Sequence, residues 1–367
     1  MSHMSTLQIT IAERELPENV DDTSESARLF REYVDLRNAI SSEQTGGADD
    51  FSATYRESLG QAKGQTSERQ HRLLAIHEGH VIGIGAVDVS LHELQAPAYA
   101  DVGVHEGFRS RGVAAALLAE VDRLLHEEGR SATQTWVVHP PAPGPTRTAA
   151  TGWGVVPADT PSVRFLERAG FALEQVERMS SLRLGAESPA MFERMRDTAA
   201  EKADGYSVRT WSGRTPDDEL ESLAQLHARM STDVPAGALE VEPEQWDAKR
   251  LADYEQNALE HMQRQLLHAV AYDAHGAPVA FTLLSLGAGR EVAFQEDTLV
   301  HADHRGHRLG ALVKAANLLQ LLEKHPERTR VTTWNAEENR HMLDVNEQLG
   351  FEAIGFEGAW QRREAAA

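Results

Sequence analysis

The chain has 367 residues and a formal net charge of -21, with 41% apolar and 25% charged residues. This length favours two domains, and the composition is typical of an ordinary folded protein. The acidity argues against nucleic acid as a ligand, because proteins bind nucleic acid by neutralising phosphates with lysine and arginine. The sequence contains no cysteine and no apolar run long enough to span a membrane, which excludes disulfides, thiolate metal sites and transmembrane helices.

The first four residues, Met-Ser-His-Met, are typical of an expression-tag remnant, which places the native start at Met4. No signal-peptide pattern follows, and we therefore expect a cytoplasmic protein. The negative charge is compatible with a cationic small molecule that is drawn toward acidic clefts, and equally with a charge that only keeps the protein dissolved.

The first half of the chain predicts a mixed α/β domain. Polar helical segments come first, and a hairpin follows in which two apolar runs flank Glu78 and Gly79. The next strand ends near Val104, and a glycine-containing turn then opens an amphipathic helix with apolar residues at i, i+3, i+4 and i+7 spacing. A β-rich run ends at Trp136, and a last short helix closes on Gly170.

The second half repeats these features in the same order. Its turn begins at Arg305, its β-rich run ends at Trp334, and its last helix closes on Gly350. The first half is 16 residues longer between turn and final glycine, which is the length of the Pro/Gly-rich stretch 139–154, predicted to be a loop. We therefore predict two tandem domains, residues 4–185 and 205–364, joined by a linker at 186–204 that could contain a short helix.

A strand that ends in a short turn and opens a helix directs several backbone N–H groups to one side, which creates an anion site. Glycine lets a phosphate approach the backbone closely, and arginine adds positive charge. The two turns therefore favour a pyrophosphate cradle, with an ordinary solvated turn as the alternative. The first comprises Arg109, Ser110, Arg111, Gly112, Val113 and Ala114, and the second Arg305, Gly306, His307, Arg308, Leu309 and Gly310.

The order strand, R-x-x-G-x-G/A turn, helix, strand, helix, Gly-Phe resembles the GNAT superfamily of acyl-CoA-dependent N-acyltransferases. The first turn fits the motif fully, whereas the second has Arg308 where the family usually has glycine. The layout of the whole chain is similar to that of mycothiol synthase and related actinobacterial tandem acetyltransferases. The resemblance implies two GNAT-like domains, each with a central, mixed, mostly antiparallel sheet flanked by helices.

The resemblance also implies acetyl-CoA as the donor and a small amine as the acceptor, and the acidity of the chain is compatible with a cationic one. The pyrophosphate would bind to the turn amides, the pantetheine arm would pair with the strand before each turn, and a recurrent asparagine would approach the pantetheine end. For Asn335 a helix N-cap is an alternative role. The residues concerned are Val102, Gly103 and Val104 in the first half, and Thr298, Leu299, Val300, Asn335 and Asn339 in the second.

An amine acceptor must lose a proton before it attacks a thioester, and a carboxylate can accept that proton. GNAT enzymes often keep such a group on the strand before the cradle, where this chain has Glu296 and Asp297. Because side chains alternate along a strand, only one of the two is expected to face a given cleft. We favour Asp297 as the base and keep Glu296 as the second choice, with a solvated strand-edge acid as the alternative for each. Four acids that precede Trp246 could attract a cationic acceptor: Asp233, Glu240, Glu242 and Glu244.

Many relatives use a tyrosine of the last helix as general acid, but Leu166 and Asn346 stand at those positions. This difference leaves two functions open: an N-acetyltransferase whose C-terminal domain is catalytic, and a non-catalytic CoA-binding or scaffold protein. We expect a monomer or homodimer that contacts neither nucleic acid nor membrane. Three histidines near the second turn do not share one helical face, so we predict no metal site there.

Overall fold

The structure is a computed structural model that describes residues 7–47 and 49–363. The predicted tag remnant with Met4 and the predicted end at Glu364 lie outside these residues. The protein is a mixed α/β protein whose strands and helices alternate in the predicted order. No helix among the described residues is long and apolar enough to cross a membrane.

The elements of the first half follow the predicted order. A long helix and a short helix precede the hairpin, and the strand, turn, helix and strand of the repeat come after it. The bounds are β1 Thr10–Glu13, α1 Glu25–Gln44, α2 Tyr55–Gly64, β2 Glu68–His77, β3 His80–Ser90, β4 Ala98–Val104, α3 Val113–Glu127, β5 Ala132–His139, β6 Thr146–Thr148, β7 Val155–Pro157, α4 Pro161–Arg168 and β8 Ala172–Arg183.

The second half begins with a helix in the predicted linker and then repeats the same sequence of elements. A five-residue π-helical turn, Asn257–His261, lies between the last helix before the hairpin and the hairpin itself. The bounds are α5 Ser188–Ala200, β9 Ser207–Ser212, α6 Leu220–Ala228, α7 Met230–Asp233, α8 Ala248–Gln256, β10 Gln265–Tyr272, β11 Pro278–Leu286, β12 Val292–Val300, α9 Leu309–Lys324, β13 Arg330–Ala336, α10 Arg340–Gln348 and β14 Glu352–Arg363.

The contacts divide the chain into two compact units that do not coincide with the two sequence repeats. Unit 1 contains the described chain up to Pro140, residues Thr160–Ala172 and the chain from Ala359 onward. Unit 2 contains Pro141–Asp159 and Leu173–Gly358. Most of β8 and the β6–β7 hairpin therefore belong to unit 2, whereas the end of β14 belongs to unit 1. The boundaries inferred from the repeat stay a prediction.

The strands of unit 1 lie in the order β1-β2-β3-β4-β5, and the end of β14 follows β5. All neighbouring pairs from β1 to β4 are antiparallel, and β4 and β5 are parallel. Helix α3 packs its apolar stripe on one face of this sheet, and α1 packs on β3 and β4. The resulting core combines apolar residues such as Leu73, Val87, Leu117 and Val121.

Unit 2 contains the start of β14 and then the order β8-β13-β12-β11-β10-β9. Among the pairings that the described residues show in unit 2, β12 and β13 are the one parallel pair. They correspond to the parallel pair β4 and β5 of unit 1. Helix α9 packs against β10, β11 and β12, and α5 packs along α9. The linker helix α5 therefore contributes Phe192 and Ala199 to the core of unit 2.

The local turn predictions are confirmed at several positions. Glu78 and Gly79 connect β2 and β3 as a two-residue hairpin turn, with φ of 49° and 82°. Gly170 and Gly350 end their helices with φ of 84° and 90°, the left-handed conformation that glycine adopts most readily. The stretch 139–154, predicted to be a loop, contains the short strand β6, which pairs with β7.

Candidate functional site

Each unit contains one pair of parallel strands that separates toward its carboxyl end. In unit 1, β4 and β5 are paired only at Ala98–Thr133 and Tyr99–Gln134. In unit 2, β12 and β13 are paired at three positions, of which Phe294–Thr332 is the last. Beyond these pairs no further β4–β5 or β12–β13 register pairs follow, although Thr333 Oγ1 donates to the Gln295 carbonyl at 3.2 Å in unit 2. Strands β4 and β12 then lead to the two predicted turns.

The two turns have nearly the same backbone conformation. His105 has φ -52° and ψ 134°, and His301 has φ -52° and ψ 136°. In each turn the histidine side chain accepts a hydrogen bond from the backbone N–H two residues later. Four positions farther on, Arg109 and Arg305 are both extended, with φ of -65° and -70°. The sequence repeat is therefore also a repeat of backbone geometry.

Each turn contains two residues in the left-handed conformation, and glycine occupies a different one in each. Ser110 and Gly112 have φ of 61° and 88° in the first turn, whereas Gly306 and Arg308 have φ of 89° and 56° in the second. Arg308 thus adopts the conformation that its glycine counterpart adopts, at a cost of ~1–2 kcal/mol. The arginine changes the chemistry of the second turn without changing its path.

Both helices after the turns begin without side-chain capping. The N-cap residues Gly112 and Arg308 make no side-chain hydrogen bond to the first helical turn. The first N–H groups of α3 and α9 therefore remain oriented toward the turn, where a helix N-terminus favours an anion. A Cβ added at Gly112 would meet no atom within 4 Å, so there is room beside the backbone.

The arginines that begin the turns are held by the protein itself. The Nε of Arg109 donates to the Val104 carbonyl oxygen at 3.1 Å, and its guanidinium binds the Glu43 carboxylate at 2.7 Å. The Nε of Arg305 donates to the Val300 carbonyl at 3.4 Å, and its Nη2 donates to the Asp233 carbonyl at 3.1 Å. Each arginine therefore links the turn to the end of an earlier helix. Direct phosphate binding by these guanidiniums stays a prediction.

A cavity of about 740 Å³ lies in unit 1 at the opening between β4 and β5. It is bounded by these two strands, the first turn, α3 and α4. Two predicted residues are not among its lining residues: Val113 is buried in the core, and Arg111 lies over the ring of Phe108. The predicted residues that line it are Val102, Gly103, Val104, Arg109, Ser110, Gly112 and Ala114.

The cavity has polar lining residues that the sequence did not indicate. His139 accepts a hydrogen bond from Trp360 Nε1 at 3.3 Å, and burial lowers the pKa of His139 to about 4, so its ring is neutral near pH 7. Asp101 also lines the cavity; burial raises its pKa, while a hydrogen bond from the Val102 N–H opposes that shift. Thr160 and Ser162 at the start of α4 line the opposite wall.

The two candidate carboxylates of unit 2 lie at an irregularity in β12. Thr282 pairs with Thr298 and Leu284 with Gln295, so β12 has one more residue than β11 between these pairs. Such a β-bulge interrupts the alternation of side chains. Strict alternation therefore cannot be assumed for Glu296 and Asp297, and which of them faces a cleft stays a prediction. Besides burial, the charges of both raise the pKa of Tyr254.

Both carboxyl groups hold protons more tightly than ordinary carboxyl groups. Desolvation by the surrounding protein raises the pKa of Asp297 to about 6, and the charge of Glu244 adds to this shift. Desolvation raises the pKa of Glu296 to about 7, although Arg264 opposes it. The side chain of Asp297 nevertheless keeps 45% of its surface open, so a ligand can reach it.

His227 lies beside Asp297, and Trp246 and Tyr254 pack in sequence behind His227. The His227 Nδ1 is 3.9 Å from Asp297 Oδ2, but burial lowers the pKa of His227 to about 3, so the pair is not an ion pair at neutral pH. Trp246 lies 5.3 Å from the His227 ring and donates its indole N–H to Glu244 at 2.6 Å. Tyr254 packs edge-on against Trp246, and burial of its hydroxyl raises its pKa above the usual range.

The four acids predicted before Trp246 have different partners. Asp233 contacts Arg305 and Glu244 contacts Trp246, whereas Glu240 and Glu242 are also engaged in interactions. The segment 233–239 continues from the Arg305 contact to β8, where the Gln175 side-chain amide donates to the Pro235 carbonyl at 3.1 Å. Gln175 also donates to Glu338 just after β13, so this segment crosses from the end of β12 to the end of β13.

The comparisons agree with this geometry. The acetyltransferase (GNAT) family model matches residues 34–142, which include the splayed strands, first turn and α3 of unit 1.

Residues 34–142 are similar to a GNAT domain.

The whole chain resembles a tandem GNAT protein from the clavulanic acid biosynthesis pathway, with TM-score 0.73, 23% identity, and coverage of 98% of this chain and 100% of the other. A GCN5-related N-acetyltransferase from Sphaerobacter thermophilus matches with TM-score 0.61, 14% identity and coverage of 90% and 91%. Saccharomyces cerevisiae N-myristoyltransferase with bound myristoyl-CoA matches with TM-score 0.55, 12% identity and coverage of 100% and 81%. No curated protein matches the chain. The chain therefore has the tandem GNAT fold, and the GNAT family is one of acyl-CoA-dependent acyltransferases.

The positions of the usual GNAT tyrosine have structural roles in this chain. Leu166 is buried and lines the cavity of unit 1. Asn346 is buried in unit 2 and donates its side-chain amide to Asn335 Oδ1 at 2.6 Å. Neither side chain can supply a proton to a leaving thiolate.

The structure also separates the roles of the two predicted asparagines. Asn339, not Asn335, is the N-cap of α10, because its side chain accepts the Met342 N–H at 3.3 Å. The alternative N-cap role for Asn335 is therefore wrong, and that residue instead binds Asn346. The predicted approach of both asparagines to a GNAT cofactor stays a prediction.

The histidines of the second GNAT turn contact protein groups. His301 accepts the Asp303 N–H, the His304 ring nitrogen lies 3.0 Å from the Tyr206 hydroxyl, and the His307 ring lies 5.3 Å from the Tyr206 ring. Across the part of the chain that the structure describes, no group of three or more potential ligands is arranged to hold a metal ion.

Proposed function

We propose that the protein is an acetyl-CoA-dependent N-acetyltransferase that acts on the amine of a small, cationic acceptor. The proposal rests on one observation: a partly open carboxylate, Asp297, has a pKa near 6 and lies on β12 beyond its last pair with β13, on the strand that leads to the turn before α9. A carboxylate with this pKa is mostly ionised at neutral pH and accepts a proton more readily than an ordinary aspartate.

Different residues of unit 2 have different roles in the proposed reaction. Asp297 takes the proton from the ammonium group of the acceptor, and Glu244 raises the basicity of Asp297 through its negative charge. The ring faces of Trp246 and Tyr254 and the nearby carboxylates favour a cation in the same space. The backbone N–H and C=O groups of Thr298, Leu299 and Val300 would pair with the extended pantetheine arm of the donor. The donor supplies the acyl thioester.

The cavity of unit 1 fits the donor as well. It combines an uncapped helix N-terminus, a glycine with free space beside its backbone, and a mostly apolar channel between two strands. These features suit a phosphate group with a long neutral arm. In this proposal the second half of the chain binds its own donor and carries the chemistry, and the first half binds a further cofactor molecule or is degenerate. A chain that only binds CoA is the second candidate, and Leu166 and Asn346 at the tyrosine positions favour it.

The test measures the release of free CoA from acetyl-CoA with a panel of amines, including polyamines and amino sugars. We expect release with a cationic amine, and we expect Asp297→Asn to lower kcat by about 10²–10⁴-fold with little change in CoA affinity. The matched control is Asp101→Asn, which removes the acid of the cavity in unit 1. Loss of turnover in Asp101→Asn alone would move the chemistry to unit 1. No release with any amine would leave the CoA-binding function.

A further inference from the structure

Strand β12 has one residue more than its counterpart β4. In each repeat an aromatic residue of this strand stacks on the tryptophan of the next strand, with ring centroids 6.2 and 6.1 Å apart and ring planes at 26° in both. The stacked pairs are Tyr99–Trp136 and Phe294–Trp334. Val104 and Val300 also correspond, because the carbonyl of each accepts a hydrogen bond from the arginine five residues later. Val104 follows Tyr99 by five positions, whereas Val300 follows Phe294 by six.

The extra residue lies at the two candidate carboxylates. In unit 1, β3 and β4 pair without a shift from Gly83–Val104 to Asp88–Tyr99. In unit 2, Glu296 and Asp297 together oppose the single residue Leu283 of β11. A β-bulge of this kind disrupts the ladder locally and re-aims the side chains beside it. The two units therefore differ in backbone at the residues that the proposed reaction uses.

The side chain of Gln295 joins the two strands across the bulge. Its Nε2 donates to the Leu283 carbonyl at 2.7 Å and to the Thr282 hydroxyl at 2.8 Å. Leu283 is the residue that faces the two bulged positions. Gln295 is 4% exposed and Thr282 is 1% exposed, so these groups depend on each other rather than on water for their hydrogen bonds.

Further hydrogen bonds hold the backbone on both sides of the bulge. The Thr282 Oγ1 lies 2.7 Å from the Thr298 Oγ1 and 3.4 Å from the Asp297 carbonyl oxygen. On the other side, the buried Thr333 donates its hydroxyl to the Gln295 carbonyl at 3.2 Å, one position past the last pair of β12 with β13. The chain is thus fixed immediately before and after the two carboxylates.

Unit 1 has neither the bulge nor these polar side chains. Counted from the stacked aromatic residue, an alanine takes the place of the glutamine, and counted from the paired valine, the two threonines are replaced by valine and glycine. The corresponding residues are Gln295 and Ala100, Thr298 and Val102, and Thr282 and Gly85. The bulge and its side-chain partners therefore occur together, in the half that has two adjacent carboxylates.

We propose that Gln295 is a positioning residue for Asp297: its side-chain amide and the Thr282 hydroxyl hold the bulge of β12 in place, and so fix where the Asp297 carboxylate lies relative to the acceptor amine. This inference rests on the proposed acetyltransferase function. A one-residue slip in pairing turns a side chain to the other face of a sheet. A bulge that could move along β12 would therefore not keep Asp297 in one place.

The test compares CoA release by the full chain and by Gln295→Met, which keeps the length of the side chain and removes both N–H donors. We expect kcat to fall by about 10²-fold, as for a catalytic group that is misplaced, and KM for the amine to change much less. The matched control is Gln320→Met, because Gln320 is also buried in unit 2 and donates to a strand carbonyl, that of His268, at 3.2 Å. This control should turn over as the unchanged protein does.

An NMR titration of the Asp297 carboxyl group provides a readout that needs no turnover. Its signal is the one that Asp297→Asn removes. We expect a pKa of about 6 in the unchanged protein and in Gln320→Met. In Gln295→Met the pKa should be lower by about half a unit or more, because the carboxyl group leaves its desolvated position. Both variants keep the other titratable groups near Asp297, which are His227, Glu244, Tyr254 and Glu296.

The outcomes separate this inference from the proposed function. Unchanged kcat and an unchanged Asp297 titration in Gln295→Met overturn the positioning role. An equal loss in Gln320→Met overturns it too, since a general loosening of unit 2 would then explain both variants. If no amine releases CoA from the unchanged protein, the acetyltransferase function fails, and the titration alone decides whether Gln295 fixes Asp297.

A second variant covers a Gln295→Met protein that does not fold. Thr282→Val keeps the shape of the side chain and removes the hydroxyl that accepts from Gln295. We expect the same two changes, a lower kcat and a lower pKa of Asp297, at smaller size because the bond from Gln295 to the Leu283 carbonyl remains. If Gln295→Met does not fold, unchanged turnover and titration in Thr282→Val overturn the proposal.

Discussion

Arg308 shows how a single residue can preserve a backbone while changing its chemistry. It takes the left-handed conformation of Gly112, and the turn compensates by placing glycine at 306, where the first turn has Ser110. Each turn therefore has glycine at one of its two left-handed positions and a strained residue at the other. The substitution that weakens the sequence motif leaves the path of the turn intact and adds a cation beside the N-terminus of α9.

Desolvation and, after it, the charge of Glu244 raise the pKa of Asp297, which allows a pH prediction at the residue scale. Asp297 accepts a proton only as the carboxylate, so the rate is lost as pH falls through its pKa of about 6. We expect kcat/KM to rise with pH to a plateau with a midpoint near this value. Glu244→Gln removes the negative charge but keeps an acceptor for the Trp246 indole, so the midpoint should move to lower pH, by about 0.3–1 unit.

The measurement is the pH profile of CoA release for both proteins at constant ionic strength. Glu242→Gln is the control, since it removes one charge from the same loop, and Glu242 does not contribute to the pKa shift of Asp297. An unchanged midpoint in Glu244→Gln would contradict the electrostatic link between these two carboxylates.

The N-terminus of helix α10 depends on one capping side chain. Asn339 caps this helix through the Met342 N–H, and loss of such a cap costs about 1 kcal/mol. We expect Asn339→Ala to lower the free energy of unfolding by this amount and Asn339→Asp to retain it, because aspartate also caps a helix. Urea denaturation measures both. If Asn339 also approaches the cofactor, the added negative charge of Asn339→Asp weakens CoA binding.

CoA titration of the two variants separates these roles. Weaker binding in Asn339→Asp with normal stability supports a dual role, and unchanged binding leaves Asn339 as a cap alone. A fully stable Asn339→Ala would contradict the capping role.

The sequence predicted the elements whose causes are local. Glu78-Gly79 between two apolar runs defines a hairpin, and Gly170 and Gly350 define helix ends, since each depends on a few neighbouring residues. The bulge at Glu296 and Asp297 was not predictable, because it exists only relative to the register with β11. His227 and Tyr254 were missed for a related reason: they lie far from Asp297 in sequence, and no motif surrounds them.

At the scale of the whole molecule, each compact unit requires residues from both halves of the sequence. Unit 2 contains nearly all of β8, which pairs with β13 along seven residues from Arg183–Arg330 to Glu177–Ala336. Unit 1 contains the chain from Ala359 onward, where Trp360 is almost fully buried and bonded to His139. The compact units therefore do not coincide with the two repeats of the sequence.

This organisation predicts that residues 4–185 and 205–364 do not fold when expressed separately. The first piece carries β8 without β13, which exposes buried side chains such as Val176, Met179 and Leu182. Burial of each of these side chains stabilises the folded state by ~1.5–3 kcal/mol. The sum for the three is comparable with the free energy of unfolding of an ordinary domain. Co-expression of both pieces should restore a folded complex. Circular dichroism and thermal melting of each piece and of the mixture test this, and a cooperative transition in either isolated piece would contradict it.

The segment of unit 1 that begins at Ala359 has a consequence for synthesis of the protein. Ribosomes translate it after every residue of unit 2, so the nascent chain must carry unit 1 without this last segment until elongation has passed both halves. Unit 2 has all of its segments by then and can fold first. A premature stop codon near position 359 would therefore damage the domain that is encoded at the opposite end of the gene.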